Sequence, residues 1–386
     1  MVLFGMLMVI AACACGEEAV EITKKCSFSA GTGRSSFSQC LDNDYRTYWK
    51  LSPGKKAYLD VTMPSGQTCG GVYLQWYETA YNWHIEVFSD GDWATVAHSS
   101  GAYFNDSLIL PENTSVFRIV FAPEAKELVY IAELHVFSEG SLPEWVQKWE
   151  PTVEKADLML VVAHPDDELL WFGGTLPTYA GEEQKKVLVC VLVPTVPRRR
   201  IEFLDGLWTC GVRDYPIWGR YPDKYSASLR AQYEMWNKDR LWELVTGWIR
   251  QYKPDVLLTQ DINGEYGHGA HRAVADACIH AVEYAADENK YPSKLDYGTW
   301  NVLKFYIHLY DENRIEMDWR RPLDAFGGKT GFDIAVEAFK KHISQQHTDY
   351  AVLDTGKTSC TLFGLYRTLV GDDVLKNNFF ENIVSE

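Results

Sequence analysis

The hydrophobic pattern of this 386-residue chain changes once, close to residue 150, and this change most limits what the chain can fold into. Before it, apolar and polar residues alternate in short runs such as AYLDVTM (57–63) and GGVYLQW (70–76), which is the period of half-buried β-strands. After it, DLMLVVA (157–163) and KVLVCVLV (186–193) are continuously apolar, as in parallel strands that are covered on both faces. The pattern therefore predicts two domains of different class.

We predict an all-β sandwich of jelly-roll type over residues 20–140 and a linker, bounded by prolines, over 141–156. Residues 157–386 are predicted to form a three-layer, Rossmann-like α/β domain with a mostly parallel sheet. Within it, apolar spacing predicts one long amphipathic helix over 229–252 and a second over 267–286. The strand DVLLTQ (255–260) lies between them, so strand and helix alternate along the chain.

Net charge and the first residues restrict the partners and the location of the protein. A formal charge of −16 disfavours binding to nucleic acid or to anionic lipid through charge. Residues 1–15 are apolar but too short to span a bilayer, and residues 10–13 resemble a bacterial lipoprotein cleavage box. We therefore expect residues 1–19 to be a signal or lipoprotein segment, with a lipid anchor at Cys13, on a protein exported to the bacterial surface or outside the cell. An ordinary buried helix is the alternative.

The nine cysteines do not form any CxxC pair, which argues against a cysteine zinc cluster. Cys26 and Cys40 could pair in an oxidising compartment. The remaining cysteines are equally consistent with buried apolar residues.

Polar residues follow two of the predicted parallel strands at the point where each strand ends. The first strand runs into HPDDE (164–168), and DVLLTQ is followed one loop later by His268 and His271. Ligands bind at the carboxyl ends of such strands, and two imidazoles with one carboxylate form the usual set of a catalytic zinc. Acidic residues also cap helices, which is the alternative for Asp166, Asp167 and Glu168. We expect His164 and Asp167 to bind a metal ion and Asp166 to face its bound water.

The strings AHPDDE (163–168) and GEYGHGAH (264–271) resemble those of the LmbE-like, or PIG-L, deacetylases, and the resemblance covers about residues 157–383. These are zinc-dependent enzymes that remove acetyl groups from substrates containing N-acetylglucosamine. The resemblance implies His164, Asp167 and His271 as zinc ligands and Asp166 as the general base. His268 is implied to stabilise the oxyanion or to help protonate the leaving amine. Many relatives have His-Pro-Asp-His where this chain has His-Gly-Ala-His. The aspartate of those relatives is therefore absent here, and so is any supporting role that it has beside the histidines.

The same resemblance implies that Asp223 contacts sugar hydroxyls of the substrate. Arg199 or Arg200 is a candidate for binding a phosphate or carboxylate of the substrate, and a surface salt bridge is the alternative. His308 and His342 could approach the site. The expected function is removal of an N-acetyl group from an N-acetylglucosamine-type sugar or glycoconjugate. The alternatives are a glycan-binding surface protein whose α/β domain is inactive, and a zinc hydrolase that acts on another amide or an ester. Iron(II), cobalt or manganese also fits two histidines and an aspartate.

The amino-terminal half resembles the discoidin, or coagulation-factor type C, domain of the galactose-binding-like fold. The strings CLDNDYRTYWKL (40–51) and IAELHVF (131–137) carry this resemblance. It implies binding of carbohydrate and a structural Ca²⁺ held by Asp44, Thr47 and Glu133, whose oxygen ligands suit a hard cation. The alternative is that Asp44 and Thr47 only shape a turn. The aromatic residues Tyr77, Tyr81 and Trp83 could stack on a sugar or simply pack.

Overall fold

A computed structural model describes residues 17–31, 35–54, 57–194 and 196–384. The predicted lipoprotein segment with its Cys13 lies largely outside these ranges. The chain divides into two compact units, residues 1–147 and 148–386, and the division falls inside the segment predicted as a linker. Across the described ranges, no helix is long and apolar enough to cross a membrane.

The amino-terminal unit is built from two antiparallel sheets. One has the order β1-β3-β8-β5-β6 and the other the order β2-β9-β4-β7. Their strands are β1 (Ser27–Ala30), β2 (Trp49–Leu51), β3 (Tyr58–Thr62), β4 (Cys69–Trp76), β5 (Trp83–Ser89), β6 (Asp92–His98), β7 (Asn105–Ile109), β8 (Val116–Phe121) and β9 (Val129–Ser138). The predicted all-β, antiparallel character is confirmed.

Alternating side chains from the two sheets share one apolar core. Leu59 and Ile119 come from one sheet, and Leu74 and Ile131 come from the other. Burial of such side chains stabilises the fold by about 1.5–3 kcal/mol each. Trp83 belongs to this core and is 1% exposed, so of the two alternatives given for it, packing holds and stacking on a sugar does not.

Cys26 and Cys40 are free thiols, so the suggested disulfide is not present. The Cys40 thiol is buried and donates to the carbonyl of Phe37 at 3.0 Å. The Cys26 thiol lies 3.8 Å from the sulfur of Met63 instead. Each sulfur is therefore engaged with a different neighbour.

The carboxy-terminal unit contains a sheet of order β12-β11-β10-β13-β14-β16-β15. The first five strands run parallel, β16 runs antiparallel to β14, and β15 runs antiparallel to β16. Its strands are β10 (Leu158–Val162), β11 (Val187–Val191), β12 (Ile217–Trp218), β13 (Val256–Thr259), β14 (Lys304–His308), β15 (Arg314–Glu316) and β16 (Leu362–Thr368). Its helices are α1 (Asp167–Leu170), α2 (Pro197–Thr209), α3 (Leu229–Met235), α4 (Lys238–Tyr252), α5 (Gly269–Ala286) and α6 (Gly331–Phe339). The α/β class with a mostly parallel sheet is confirmed.

Strands β10 and β13 are direct neighbours and run parallel, with Leu158 opposite Val256. Both are fully buried, which explains their uninterrupted apolar sequences. Their carboxyl ends therefore meet at one edge of the sheet. His164 follows the first strand there, and the loop that leads to α5 follows the second.

The single helix predicted over 229–252 is wrong, because the structure has two helices there, α3 and α4. Asn237 caps α4: its side chain accepts a hydrogen bond from the amide of Arg240 at 3.0 Å. Trp236 adopts an extended backbone and buries its ring, with its indole N–H donating to the carbonyl of Pro222. A side-chain cap and a buried tryptophan thus outweigh the apolar spacing.

Arg250 of α4 holds the end of α5 and is fully buried. Its guanidinium donates to five backbone carbonyls at 2.7–3.2 Å, those of Tyr284, Ala285, Asp287, Lys290 and Tyr291. We expect Arg250→Met to lower the free energy of unfolding by about 3 kcal/mol or more, because buried carbonyls lose their donors. Urea unfolding measures this. Arg230→Met, at a 92% exposed side chain, is the control, and an equally small effect of both variants would contradict the prediction.

Candidate metal centre

Three buried imidazoles meet where the two strands end. The ring centroids of His164 and His268 are 4.9 Å apart, those of His268 and His271 5.0 Å, and those of His164 and His271 5.3 Å. One nitrogen from each ring lies within 4.8 Å of the others, a spacing that can hold one metal ion. Residues more than one hundred positions apart in the chain therefore converge, as the sequence predicted.

The carboxylate of Asp167 joins two of these rings. One oxygen lies 3.3 Å from Nδ1 of His164 and the other 3.3 Å from Nε2 of His271. The indole N–H of Trp171 donates to Asp167 at 2.8 Å, and the amide of His164 donates to it at 2.7 Å. Burial alone would raise the pKa of Asp167, but His271 and His164 outweigh burial and lower it. Asp167 is therefore a fixed, ionised carboxylate beside both imidazoles.

His271 presents a free nitrogen to the same place. Its Nδ1 is paired with a carboxylate oxygen of Glu265 at 2.6 Å, whereas its Nε2 is buried and has no hydrogen-bond partner among the residues described. A proton on Nδ1 leaves the Nε2 lone pair available, which is the state of a metal-binding histidine. Burial opposes a charge on His271, yet Asp167 and Glu265 raise its pKa to about 9. The surroundings of Nε2 therefore favour a positive charge.

Glu265 is the partner that the sequence analysis missed. Besides His271, it accepts from the amide of Asp261 at 3.0 Å and pairs with Nδ1 of His308 at 3.0 Å. Burial would raise the pKa of Glu265, but His271 and His308 lower it to about 2. This carboxylate lies within the GEYGHGAH string, so an acid close to a ligand histidine was the available signal. It supports His271 where the His-Gly-Ala-His motif lacks an acid.

In His268, unlike His271, Nδ1 is the hydrogen-bond acceptor. It is the N-cap residue of α5, and its Nδ1 accepts a hydrogen bond from the amide of Ala270 at 3.1 Å. Burial and the neighbouring imidazoles of His164 and His271 lower the pKa of His268 to about 3. A neutral ring whose Nδ1 accepts must carry its proton on Nε2, so this edge of His268 is a donor.

Asp166 stands in a backbone conformation that is rare for any residue with a side chain. Its φ is 123° and its ψ −26°, which costs about 1–3 kcal/mol and is commonest at functional sites. Its carboxylate lies 3.1 Å from the guanidinium of Arg199. Burial raises the pKa of Asp166 to about 7, although Arg199 opposes the rise. A carboxylate with this pKa suits proton transfer near neutrality.

A cavity of about 120 Å³ is lined by His164, Asp166, Asp167 and His268. Arg199 and Asp223, the predicted substrate-binding residues, also line it, 3.7 Å apart, and Asp223 is 3.8 Å from Nε2 of His164. Its aromatic residues are Trp171, Tyr266 and Tyr350, whose ring centroids lie 5.2–6.3 Å apart, and Gln345 lines it as well. The two tyrosines and Gln345 were not predicted, and no periodicity in the sequence singles them out.

The amino-terminal residues predicted to bind Ca²⁺ also lie near one another, but their contacts do not support a calcium site. Both carboxylate oxygens of Asp44 accept from Arg46, and the Thr47 hydroxyl donates to Asp42. Glu133 accepts from the amide of Asp44 at 2.8 Å. Its other oxygen is buried without a described partner, and burial raises its pKa to about 8.

Comparison with known proteins places this site in context. Residues 159–282 match the model of the PIG-L family, described as GlcNAc-PI de-N-acetylase. The 1D-myo-inositol 2-acetamido-2-deoxy-alpha-D-glucopyranoside deacetylase 1 of Frankia casuarinae is 30% identical over 200 residues, which are 43% of this chain and 64% of that protein. The corresponding deacetylase of Geodermatophilus obscurus is 34% identical over 178 residues, 39% of this chain and 60% of that protein. The PIG-L resemblance is thus confirmed for residues 159–282.

This chain spans a little under two thirds of the length of these curated relatives. Among solved structures, the N,N'-diacetylchitobiose deacetylase from Pyrococcus horikoshii matches 50% of this chain and 72% of its own, at 19% identity and a TM-score of 0.38. The discoidin-like nature of the amino-terminal unit stays a prediction, as do its binding of carbohydrate and the lipid anchor.

Proposed function

We propose that the carboxy-terminal unit is a metal-dependent hydrolase that removes an N-acetyl group from an N-acetylglucosamine-type sugar. The observation that carries this proposal is the buried Nε2 of His271, which makes no hydrogen bond within the described residues and lies 3.3 Å from the Asp167 carboxylate that also contacts His164. The match of residues 159–282 to a de-N-acetylase family and the names of the two curated relatives support the choice of bond and of sugar.

His164, Asp167 and His271 are the residues that would hold the metal ion, for which zinc is our first choice. When bound, zinc polarises a carbonyl oxygen and lowers the pKa of a coordinated water. His268 is not needed as a ligand, because its Nδ1 already accepts the amide of Ala270 and its Nε2 carries a proton. This separates the three converging imidazoles into two ligands and one donor.

The remaining side chains have roles that follow from their contacts. Asp166, with its raised pKa, takes the proton of the attacking water and returns it to the leaving amine. The Nε2 proton of His268 donates to the oxygen that becomes negative as the acetyl carbonyl is attacked. Arg199 keeps Asp166 oriented from 3.1 Å away, and Asp223 at the mouth accepts hydrogen bonds from sugar hydroxyls.

The size and lining of the cavity support one position for the substrate. A space of about 120 Å³ suits the acetamido group, with the sugar ring at the mouth beside the aromatic residues. Tyr266 and Tyr350 have ring centroids 5.2 Å apart there. Both are partly exposed, at 41% and 40%. A pyranose has one face rich in C–H groups, and this face fits an aromatic surface.

We expect Tyr350→Ala to raise KM for an N-acetylglucosaminide by about 3–10-fold with little change in kcat, because a stacking surface is worth about 0.5–1.5 kcal/mol. Tyr350→Phe keeps the ring and is expected to retain a KM close to that of the parent protein. Tyr297→Ala removes a 44% exposed tyrosine outside the cavity lining and serves as the control. Steady-state kinetics measures all three, and an unchanged KM for Tyr350→Ala would remove Tyr350 from the binding surface.

The proposed function is tested with purified protein by metal analysis and by acetate release from N-acetylglucosamine-type glycosides, before and after chelation. We expect one zinc per chain and acetate release that disappears with the chelator and returns with zinc. If the protein binds zinc but hydrolyses only other amides or esters, the N-acetyl bond is not its substrate and the alternative zinc hydrolase is favoured. An absence of hydrolysis in zinc-loaded protein, together with binding of glycans, would favour a glycan-binding protein with an inactive α/β unit.

A further inference from the structure

Behind Asp166, on the buried side, lies a second pair of charged groups that the proposed reaction does not use. Glu168 and His342 are both fully buried, and Nε2 of His342 lies 2.9 Å from one carboxylate oxygen of Glu168. Nδ1 of His342 is also buried and is without a hydrogen-bond partner in the described part of the chain. His342 lies beyond the segment that matches the PIG-L model.

The other oxygen of Glu168 accepts a hydrogen bond from the backbone amide of Asp166 at 2.8 Å. This is the residue whose φ of 123° lies in a region that side chains rarely tolerate. A hydrogen bond to a charged group is among the stronger ones in proteins, and its contribution is comparable to the cost of such a backbone conformation. The Glu168 carboxylate therefore offsets the strain at Asp166.

A buried carboxylate is more stable in such a position when its other oxygen also has a partner. His342 provides that partner, and the segment that carries it is fixed to α2 and to the end of α6. The amide of Ser344 donates to Glu202 of α2 at 2.9 Å, and the side-chain amide of Gln346 donates to the carbonyl of Phe339 at 2.8 Å.

Gly206 of α2 leaves the space for the imidazole. A Cβ at this position would lie 3.1 Å from Nε2 of His342 and 3.4 Å from a methyl carbon of Leu169. Glycine inside a helix is less favourable than alanine, so its presence here calls for a packing reason. Here the absence of a side chain allows α2 to approach the pair of Glu168 and His342.

We propose that His342 is a positioning residue for Asp166: through Glu168 it holds the strained backbone that turns the Asp166 carboxylate into the cavity. This inference rests on the proposed function for its effect on the rate, but its structural part stands alone. His342 does not line the cavity, and it acts neither as a metal ligand nor as a base. Its loss is expected to misplace the general base without removing any group that touches substrate or metal.

The test compares His342→Leu, His342→Gln and Gly206→Ala, with Tyr306→Phe as the control. Tyr306→Phe also removes one buried hydrogen bond, from the Tyr306 hydroxyl to Asp373 at 2.7 Å, in the same unit. Each variant is measured for kcat, KM, zinc content and thermal stability. Crystal structures of His342→Leu and the parent protein give the backbone angles of Asp166.

We expect His342→Leu to lower kcat about 10–100-fold with KM and zinc content little changed, since small displacements of a reacting group have effects of this size. His342→Gln, whose side-chain amide reaches the position of Nε2, is expected to recover most of the rate. Gly206→Ala is expected to lower kcat a few-fold, because its Cβ would lie 3.1 Å from Nε2 of His342 and displace the imidazole. Tyr306→Phe is expected to keep its kcat.

The inference is overturned if His342→Leu keeps both the parent kcat and the φ of Asp166, or if its loss of rate follows a loss of zinc or equals that of Tyr306→Phe. If His342→Leu does not fold, Gly206→Ala decides: an unchanged kcat contradicts the inference. A parent protein that releases no acetate refutes the proposed function instead, and the backbone of Asp166 in His342→Leu still decides whether His342 positions it.

Discussion

Asp166→Asn is expected to lower kcat about 10²–10⁴-fold while the fold and the zinc content stay as in the parent protein. Asparagine cannot take a proton from water, but it has nearly the shape of aspartate and is one of the few residues that tolerate a positive φ. The amide of residue 166 can still donate to Glu168. The variant therefore removes the base and leaves the strained turn in place, which Asp166→Ala would not do as cleanly.

Acetate release and metal analysis on the same preparation measure this result. Asp214→Asn is the matched control, because Asp214 is also a poorly exposed carboxylate of the carboxy-terminal unit but pairs with Lys186 away from the cavity. The control is expected to keep its activity. Hydrolysis by Asp166→Asn at the parent rate would show that another group acts as the base.

His271→Ala is expected to release the metal and with it all measurable activity. His271 supplies a lone pair that has no other described use, and its removal also leaves the Glu265 carboxylate buried with one fewer partner. Loss of a partner behind a ligand already weakens metal binding about 10–100-fold, and loss of the ligand itself is expected to exceed this. The free energy of unfolding is expected to fall as well, by about 1–3 kcal/mol, since a buried group is left unpaired.

His280→Ala controls for the loss of a histidine from the same helix. His280 is half-buried, stacks on Trp242 with ring centroids 3.8 Å apart and does not line the cavity. Zinc content by mass spectrometry separates the two variants, with full occupancy expected for His280→Ala and a trace for His271→Ala. Full occupancy in His271→Ala would mean that His271 is not a ligand.

The strands and their common edge could be predicted because burial leaves a strong local trace. Strands β10 and β13 are apolar on both faces, and this predicts parallel neighbours whose ends meet. Where a side chain competes with the backbone, the pattern fails. Asn237 caps α4 and ends a helix that the apolar spacing would continue. In the sequence, the preference of one asparagine for a cap is a weaker signal than the apolar period around it, so the break was not predicted.

The convergence of His164, Asp167 and His271 could be predicted, whereas for the supporting His308 and His342 the sequence indicated only that they could approach the site. His164 and Asp167 are three residues apart on one turn, whereas the pair of Glu168 and His342 joins positions 174 residues apart. Such a contact depends on how α2 and the segment after α6 pack, and it leaves no spacing in the sequence. The same holds for His308, which reaches Glu265 from the end of β14, and for Tyr350 at the mouth.

The central claim is that one cation is held jointly by His164, Asp167 and His271. Anomalous diffraction at the zinc edge from crystals of the zinc-loaded protein tests it most directly. A single peak at about 2.0–2.2 Å from a nitrogen of each histidine and an oxygen of Asp167, with His268 beyond bonding distance, is the expected result. A peak elsewhere, or no peak between these three side chains in active protein, would contradict the account.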